Sequence, residues 1–197
     1  KKNNPELFIV PGIEVTAFDD KHILLYFNKH RDLEEFYNKH ILPNKKKHRT
    51  QAFMIKTTLS HEYILDISKD YNAFRVFPHP FIRMTGMFRS MVKKRDFLVV
   101  KKVDGIEVIN STQKYDANIK SLNWAMMEGK PYTGGSDSHI LKTLGSTVTF
   151  NSGNTVENFI EEIRKKRNHV MGKTNNIRSE LSQLGTIMKN KLKFSKK

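Results

Sequence analysis

The stretch Tyr132-Thr133-Gly134-Gly135-Ser136-Asp137-Ser138-His139 decides how the rest of the chain is interpreted. Tyr132 and Thr133 favour a strand, and the polar residues after the two glycines indicate the loop at which that strand ends. The glycines lack side chains, so the backbone can approach neighbouring strands or a ligand closely. Asp137 and His139 stand two residues apart, and in extended backbone their side chains would point to the same side. One cation could then contact both.

Strand and helix patterns alternate on both sides of this stretch. Short β-branched runs predict strands, and apolar residues spaced three and four apart predict helices. The predicted strands cover 7–10 with 13–17, 22–27, 74–77, 103–110, 132–137 and 147–150. The predicted helices cover 32–41, 59–71, 118–128 and 154–167, the last of them capped by Asn154 with Glu157. This order predicts an α/β fold with largely parallel strands, whose chemistry lies at the carboxyl ends of the strands. The residues at or just beyond the carboxyl ends of predicted strands include His79, Asn110, Asp137 and His139.

Two more residues of the metal-ligand type lie near the amino terminus. Glu14 belongs to one predicted strand and His22 opens the next, after the short connection 18–21. So short a connection favours a hairpin that brings Glu14 and His22 close together across the ladder. Further along, Pro78 and Pro80 flank His79 and predict a rigid, extended backbone at that histidine. A carboxylate such as Glu14 can bridge two cations, and paired cations activate water and hold a phosphoryl group.

Composition limits the chemistry that is available. The chain has 197 residues, 38% of them hydrophobic, and it has no cysteine. The length and apolar content predict a folded core, and the missing cysteine excludes a disulfide scaffold and a thiolate zinc site. No window reaches 18 uncharged apolar residues and the start lacks an apolar signal-peptide core, so we expect a cytoplasmic protein with no transmembrane segment. The net charge of +15 favours anionic partners such as phosphoesters or nucleic acid.

The ordered set of polar motifs resembles the polymerase and histidinol phosphatase (PHP) family of metal-dependent phosphoesterases. The resemblance extends over about residues 7 to 172. The stretches that carry it are Val10-Pro11-Gly12-Ile13-Glu14-Val15-Thr16, His22-Ile23-Leu24-Leu25-Tyr26, Pro78-His79-Pro80-Phe81, Asp104-Gly105-Ile106-Glu107-Val108-Ile109-Asn110, Gly134-Gly135-Ser136-Asp137-Ser138-His139 and Gly145-Ser146-Thr147.

This resemblance implies a distorted (βα)7 barrel with two or three divalent metal ions at the carboxyl ends of its strands. Mn, Zn or Fe would suit the site, and Mg is a further option. Carried over position by position, Glu14 would be the bridging carboxylate. The implied metal ligands are Glu14, His22, His79, Asp137 and His139. The residues implied to act in catalysis are Glu14, Asp137 and His139.

The family pattern begins with a strand that carries a His-x-His pair, which has no counterpart before Leu7. We therefore expect a barrel that is incomplete at its amino-terminal end, with residues 1–172 forming its carboxyl-terminal part. Open strand edges in such a barrel would favour pairing with a second copy of the chain. Residues 173–197 are predicted to form a separate basic tail, whose apolar residues recur at helical spacing.

These observations leave three functions open. The first is a phosphoesterase that hydrolyses a phosphate ester of a small molecule through metal-activated water. The second is a nuclease-type phosphodiesterase that acts on nucleic acid ends, which the high positive charge favours. The third is a non-catalytic PHP-like binding module. Arg83, Arg89 and Asn110 are predicted to bind substrate, the arginines through the forked geometry with which guanidinium groups hold phosphate.

Overall fold

The computed structural model describes residues 8–46, 56–82, 85–94 and 97–174. It has a mixed α/β fold, as the alternating patterns predict. The strands are β1 (Gly12–Thr16), β2 (His22–Tyr26), β3 (Phe74–Phe77), β4 (Gly105–Asn110), β5 (Tyr132–Gly135), β6 (Thr147–Phe150) and β7 (His169–Gly172). The α-helices are α1 (His30–Phe36), α2 (His61–Ile67), α3 (Met87–Lys94), α4 (Tyr115–Met127) and α5 (Val156–Arg164). No helix in these ranges is both long and apolar enough to cross a membrane.

The helix termini follow ordinary capping chemistry, with one correction to the sequence prediction. Ser60 begins α2 by accepting the backbone N–H of Tyr63 at 3.1 Å. The cap of α5 is Thr155, not Asn154, and its hydroxyl accepts the N–H of Asn158 at 3.1 Å. Helix α3 and strand β7 lie in stretches for which the sequence pattern predicts no element.

Strands β1 to β5 form one sheet in chain order. The expectation of largely parallel strands is wrong for its first half, because β1–β2 and β2–β3 pair antiparallel. Only β3–β4 and β4–β5 are parallel, and each of these pairs is joined through a helix. The short connection after β1 forces the chain to turn back, which makes the following strand antiparallel.

The two faces of the sheet bury different side chains, because alternate residues of a strand point to opposite sides. On β2, Ile23 and Leu25 belong to the larger core, on the same side of the sheet as Phe77 and Trp124. Leu24 packs instead on the opposite face, in a smaller cluster. The buried members of that smaller cluster are Phe74, Val76, Ile160 and Ile163, the last two from α5. Helix α5 therefore lies on the face of the sheet that also carries Glu14 and His22.

Strands β6 and β7 form an antiparallel ribbon beside β5. Thr149 on β6 joins the ribbon to β5 through its side chain, which accepts the N–H of Gly134 at 2.8 Å and contacts its carbonyl oxygen at 3.0 Å. In the described part of the chain the sheet and the ribbon are thus linked through a side chain and not by a continuous strand ladder.

Candidate metal centre

The β1–β2 hairpin places the first two residues of the site. In its register Glu14 lies opposite Leu24 and Thr16 lies opposite His22, so Glu14 and His22 are diagonal neighbours on one face. The Nδ1 atom of His22 is 2.5 Å from Oε1 of Glu14. The turn that sets this register contains Asp20 at φ 65°, a conformation that aspartate tolerates better than most residues. The predicted proximity of the two side chains is confirmed.

His79 completes a cluster of three ligand-type groups. Its Nε2 atom is 3.2 Å from Oε1 of Glu14 and 3.2 Å from Nδ1 of His22. The two imidazole rings meet edge to face with their centroids 5.0 Å apart. The His79 side chain is only 4% exposed, whereas that of Glu14 is 36% exposed. The cluster is therefore open to solvent on the glutamate side and closed on the side of His79.

The charges in the cluster support one another. Burial by itself raises the pKa of Glu14, but hydrogen bonds and positive charge from His22 and His79 outweigh burial and hold that pKa well below its usual range. Burial acts to lower the pKa of His79, but the hydrogen bond that His79 makes to Glu14, with the charges of Glu107, Glu14 and Asp137, raises that pKa overall. The site thus favours an ionised carboxylate next to positive charge.

The backbone at His79 corrects one expectation. Its φ is 29°, so the residue is not in the extended region that a following proline favours. The backbone N–H of His79 donates to Oε2 of Glu107 at 2.7 Å, and this contact accompanies the unusual conformation. Positive φ at a non-glycine residue is uncommon and is concentrated at functional sites.

Asp137 lies next to this cluster without sharing the contacts of its three members. Its Oδ2 atom accepts a hydrogen bond from the Asn110 side chain at 3.3 Å and lies 3.0 Å from the Thr112 hydroxyl. The backbone of Asp137 has φ 44°, so the expectation of extended backbone between Asp137 and His139 is wrong. The Nδ1 atom of His139 contacts the carbonyl oxygen of Asp137 at 3.1 Å. The side chain of His139 is about half exposed.

The other predicted site residues have different outcomes. Asn110 ends β4 and is buried, where it contacts both Asp137 and Glu107. Arg83 lies outside the described residues, and Arg89 lies on α3 with a side chain that is also outside them. The substrate-binding role of these three residues stays a prediction.

Glu107 is a hydrogen-bonded partner of the site and not a member of the three-residue cluster, as its place in the predicted strand 103–110 favours. It lies in the middle of β4, is almost fully buried, and accepts hydrogen bonds from His79 and Asn110. Burial raises its pKa to about 7, although the positive charge of His79 acts to lower it. The sequence signal for this role is its place in an otherwise apolar strand, where a lone carboxylate must find partners.

The donor set fits a divalent cation. Among the described residues, one group of three metal-ligand side chains has all its ligand atoms within 4.8 Å of one another, and it consists of Glu14, His22 and His79. Two imidazoles with one carboxylate suit Zn, Mn or Fe. The remaining ring nitrogens of His22 and His79 are buried with no hydrogen-bond partner in the described part of the chain. Ring packing and the cluster itself therefore orient these two imidazoles.

Comparisons with known proteins identify a family match over part of the sequence and relatives of the fold. The family described as PHP-associated (PHP_C) matches residues 116–168, from α4 to just before β7. A two-domain protein from Bacteroides vulgatus that contains a predicted PHP-like metal-dependent phosphoesterase shares the fold, with a TM-score of 0.55 and 15% identity. The resemblance to the PHP family is confirmed. No curated protein matches the chain in a sequence search.

Two further structures with this PHP-like fold are endonucleases. Endonuclease Q in complex with a 27-mer duplex substrate, which has an abasic lesion at the active site, superposes with a TM-score of 0.59 and 19% identity. The lesion-specific endonuclease PfuEndoQ from Pyrococcus furiosus gives a TM-score of 0.61 and 19% identity.

The match covers most of this chain and a smaller part of each neighbour. It includes 78%, 81% and 87% of this chain for the duplex complex, PfuEndoQ and the Bacteroides protein, respectively. It includes 38%, 40% and 47% of those proteins in the same order. At these identities the likeness shows the fold, and the chain spans less than half the length of these three neighbours.

Proposed function

We propose that the protein is a metal-dependent phosphoesterase. The observation that carries the proposal is the convergence of Glu14, His22 and His79 on one small volume. They come from the middle of β1, the start of β2 and the loop after β3. Together they offer one carboxylate oxygen and two imidazole nitrogens within 4.8 Å of one another, a donor set that a divalent cation can bind. Asp137 supports the proposal because its charge reaches His79 from the end of β5.

Glu14, His22 and His79 would hold the metal, with Asp137 and His139 as further predicted ligands. When bound, a divalent metal lowers the pKa of a coordinated water and stabilises charge on a phosphoryl oxygen. The chain's own contribution is to keep the Glu14 carboxylate ionised and to fix the His79 ring in a buried position. Asn110, buried at the end of β4, would orient Asp137 through its side-chain amide.

A nucleic acid substrate is the second candidate, favoured by two observations. The chain carries 35 lysine and arginine residues against 20 acidic residues, which exceeds what a small metabolite requires. Two solved structures with the same fold are endonucleases, one of them in complex with duplex DNA. Phosphodiester cleavage in nucleic acid is therefore the second form of the proposed reaction, beside hydrolysis of a phosphorylated small molecule.

We also propose a domain organisation for the chain. The sheet and ribbon would belong to a (βα)7 barrel, with residues 1–172 within one domain. The basic tail 173–197 lies almost wholly outside the described residues. Association of two copies through open strand edges and a cytoplasmic location stay predictions.

Hydrolysis with defined metals tests the proposal. The full chain would be assayed with an aryl phosphodiester, an aryl phosphomonoester and a labelled DNA duplex that contains an abasic site, each with Mn²⁺, Zn²⁺ or Mg²⁺. We expect turnover that stops on chelation and that Glu14→Gln and His79→Ala abolish, while His30→Ala, an exposed histidine on α1, keeps it. Cleavage of the duplex or diester, but not the monoester, would favour the nuclease form. Absence of turnover with every metal and substrate would contradict the proposed function.

A further inference from the structure

Glu107 lies between the two loops that carry the separate halves of the site. Its Oε2 atom accepts the backbone N–H of His79 at 2.7 Å and the side-chain amide of Asn110 at 3.0 Å. The same Asn110 nitrogen is 3.3 Å from Oδ2 of Asp137. A chain of hydrogen bonds therefore runs from the loop after β3, through β4, to the loop after β5.

Both loops are held in an uncommon backbone conformation. His79 has φ 29° and Asp137 has φ 44°, and neither residue is a glycine. Such conformations are costly and persist only where surrounding contacts impose them. The hydrogen bond from the His79 backbone N–H to Glu107 is such a contact, and on the other loop the Asn110 amide holds the side chain of Asp137.

Gly135 shows how closely Glu107 is fitted. A side-chain carbon at position 135 would lie 2.7 Å from Oε1 of Glu107. One carboxylate oxygen thus lies against the backbone of β5 while the other accepts both hydrogen bonds. The carboxylate has little freedom to move, which suits a group that sets the distance between two loops.

We propose that Glu107 is the positioning residue of this site, and that its carboxylate, together with Asn110, fixes the spacing between His79 and Asp137. The inference rests on the proposed function for its biological meaning, but its geometry can be tested without any metal. Residues that orient metal ligands from behind typically change metal affinity about 10–100-fold when they are removed.

A pair of variants separates positioning from direct participation. Glu107→Ala removes both accepted hydrogen bonds. Glu107→Gln keeps a carbonyl oxygen that can accept both of them, but it removes the charge. If Glu107 acts by position, the glutamine variant behaves like the wild type and the alanine variant does not. Were Glu107 a ligand or a proton acceptor, both variants would fail alike.

The first measurement is hydrogen exchange of the His79 amide by NMR in the metal-free full chain. Loss of this buried hydrogen bond should speed the exchange about 10–100-fold in Glu107→Ala, with little change in Glu107→Gln, which keeps an accepting oxygen. Glu34→Ala, which changes an exposed glutamate on α1, serves as the control. Unchanged His79 exchange in Glu107→Ala would overturn the inference.

The second measurement is Mn²⁺ affinity by calorimetry at a temperature where every variant is folded. We expect Glu107→Ala to bind about 10–100-fold more weakly and Glu107→Gln to bind like the wild type. Equal losses in both variants would overturn the positioning role. If the wild type binds no metal, the proposed function fails, and the exchange measurement still decides the inference. Should Glu107→Ala not fold, Asn110→Ala removes one of the two links and should weaken Mn²⁺ binding in the same direction.

Discussion

Replacing Asp104 with asparagine should destabilise the fold by removing the charge that joins α5 to the sheet. Asp104 precedes β4 and accepts four hydrogen bonds. The donors are the backbone N–H of Arg75 at 2.8 Å, its Nε at 2.8 Å and Nη2 at 2.9 Å, and Nη1 of Arg164 at 2.9 Å. The Asp104 side chain is only 14% exposed, so solvent screens these contacts weakly. Breaking a fully buried pair costs about 3–5 kcal/mol, and for this partly buried one we expect about 2–4 kcal/mol.

A matched substitution controls for the chemistry of the change. Asp66 also contacts two cations, Lys69 and Lys102, but its side chain is 46% exposed. Asp66→Asn should cost less than about 1 kcal/mol because exposed pairs contribute little. Thermal unfolding followed by circular dichroism should show a midpoint about 4–16 °C lower for Asp104→Asn than for the wild type, since 1 kcal/mol corresponds to about 2–4 °C at this chain length. Equal midpoints for the two variants would refute the reasoning.

The pH dependence gives the same prediction a second test. Burial acts to raise the pKa of Asp104, but hydrogen bonds and positive charge from Arg75 and Arg164 outweigh it and lower that pKa. A carboxyl whose pKa is lower in the folded state stabilises the fold above its unfolded pKa of about 3.9. That stabilisation is lost as the pH falls through the folded pKa. The difference in unfolding free energy between wild type and Asp104→Asn should therefore be constant near neutral pH and shrink below about pH 4. A difference that grows in acid would contradict this sign.

Three further predictions concern other parts of the molecule. Gly135→Ala should cost about 1–3 kcal/mol and weaken Mn²⁺ binding, because the new carbon meets the fixed carboxylate of Glu107 at 2.7 Å. Gly129→Ala is the control, because Gly129 has φ 60° and an added carbon would meet no atom within 4 Å. It should lower the free energy of unfolding by about 1–2 kcal/mol and leave Mn²⁺ affinity unchanged. Urea unfolding measures the stability of both glycine variants, and calorimetry measures their Mn²⁺ affinity. Thr155→Ala should destabilise the chain by about 0.5–2 kcal/mol through loss of the α5 cap, and a urea midpoint equal to that of wild type would argue against it. Binding of a labelled DNA duplex, followed by fluorescence anisotropy, should weaken at least about tenfold between about 50 and 200 mM salt, and salt-independent binding would count against the nucleic acid form of the proposal.

The sequence predicts local structure and the proximity of Glu14 and His22 better than it predicts the geometry of the loops. The spacing between Glu14 and His22 is enough to predict their contact, because a short connection permits few pairings and alternation puts both on one face. Strand ends after alternating elements likewise predict that His79, Asn110 and Asp137 lie at one edge of the sheet. These inferences depend on periodicity, which is a local property of the chain.

The backbone at His79 and Asp137 could not be predicted in this way. A proline after His79 favours extended backbone, yet its φ is 29°, since a buried carboxylate 28 residues further along accepts its N–H. A long-range contact of this kind overrides the local preference and leaves no periodic signal. The same limit applies to β7, whose pairing with β6 depends on residues about 20 positions away in the chain.

Anomalous diffraction from crystals grown with Zn²⁺ or Mn²⁺ tests the central claim most directly. The account predicts a strong anomalous peak at bonding distance from Oε1 of Glu14, Nδ1 of His22 and Nε2 of His79, and no such peak in His79→Ala. A metal bound elsewhere, with these three atoms left in contact only with one another, would contradict it.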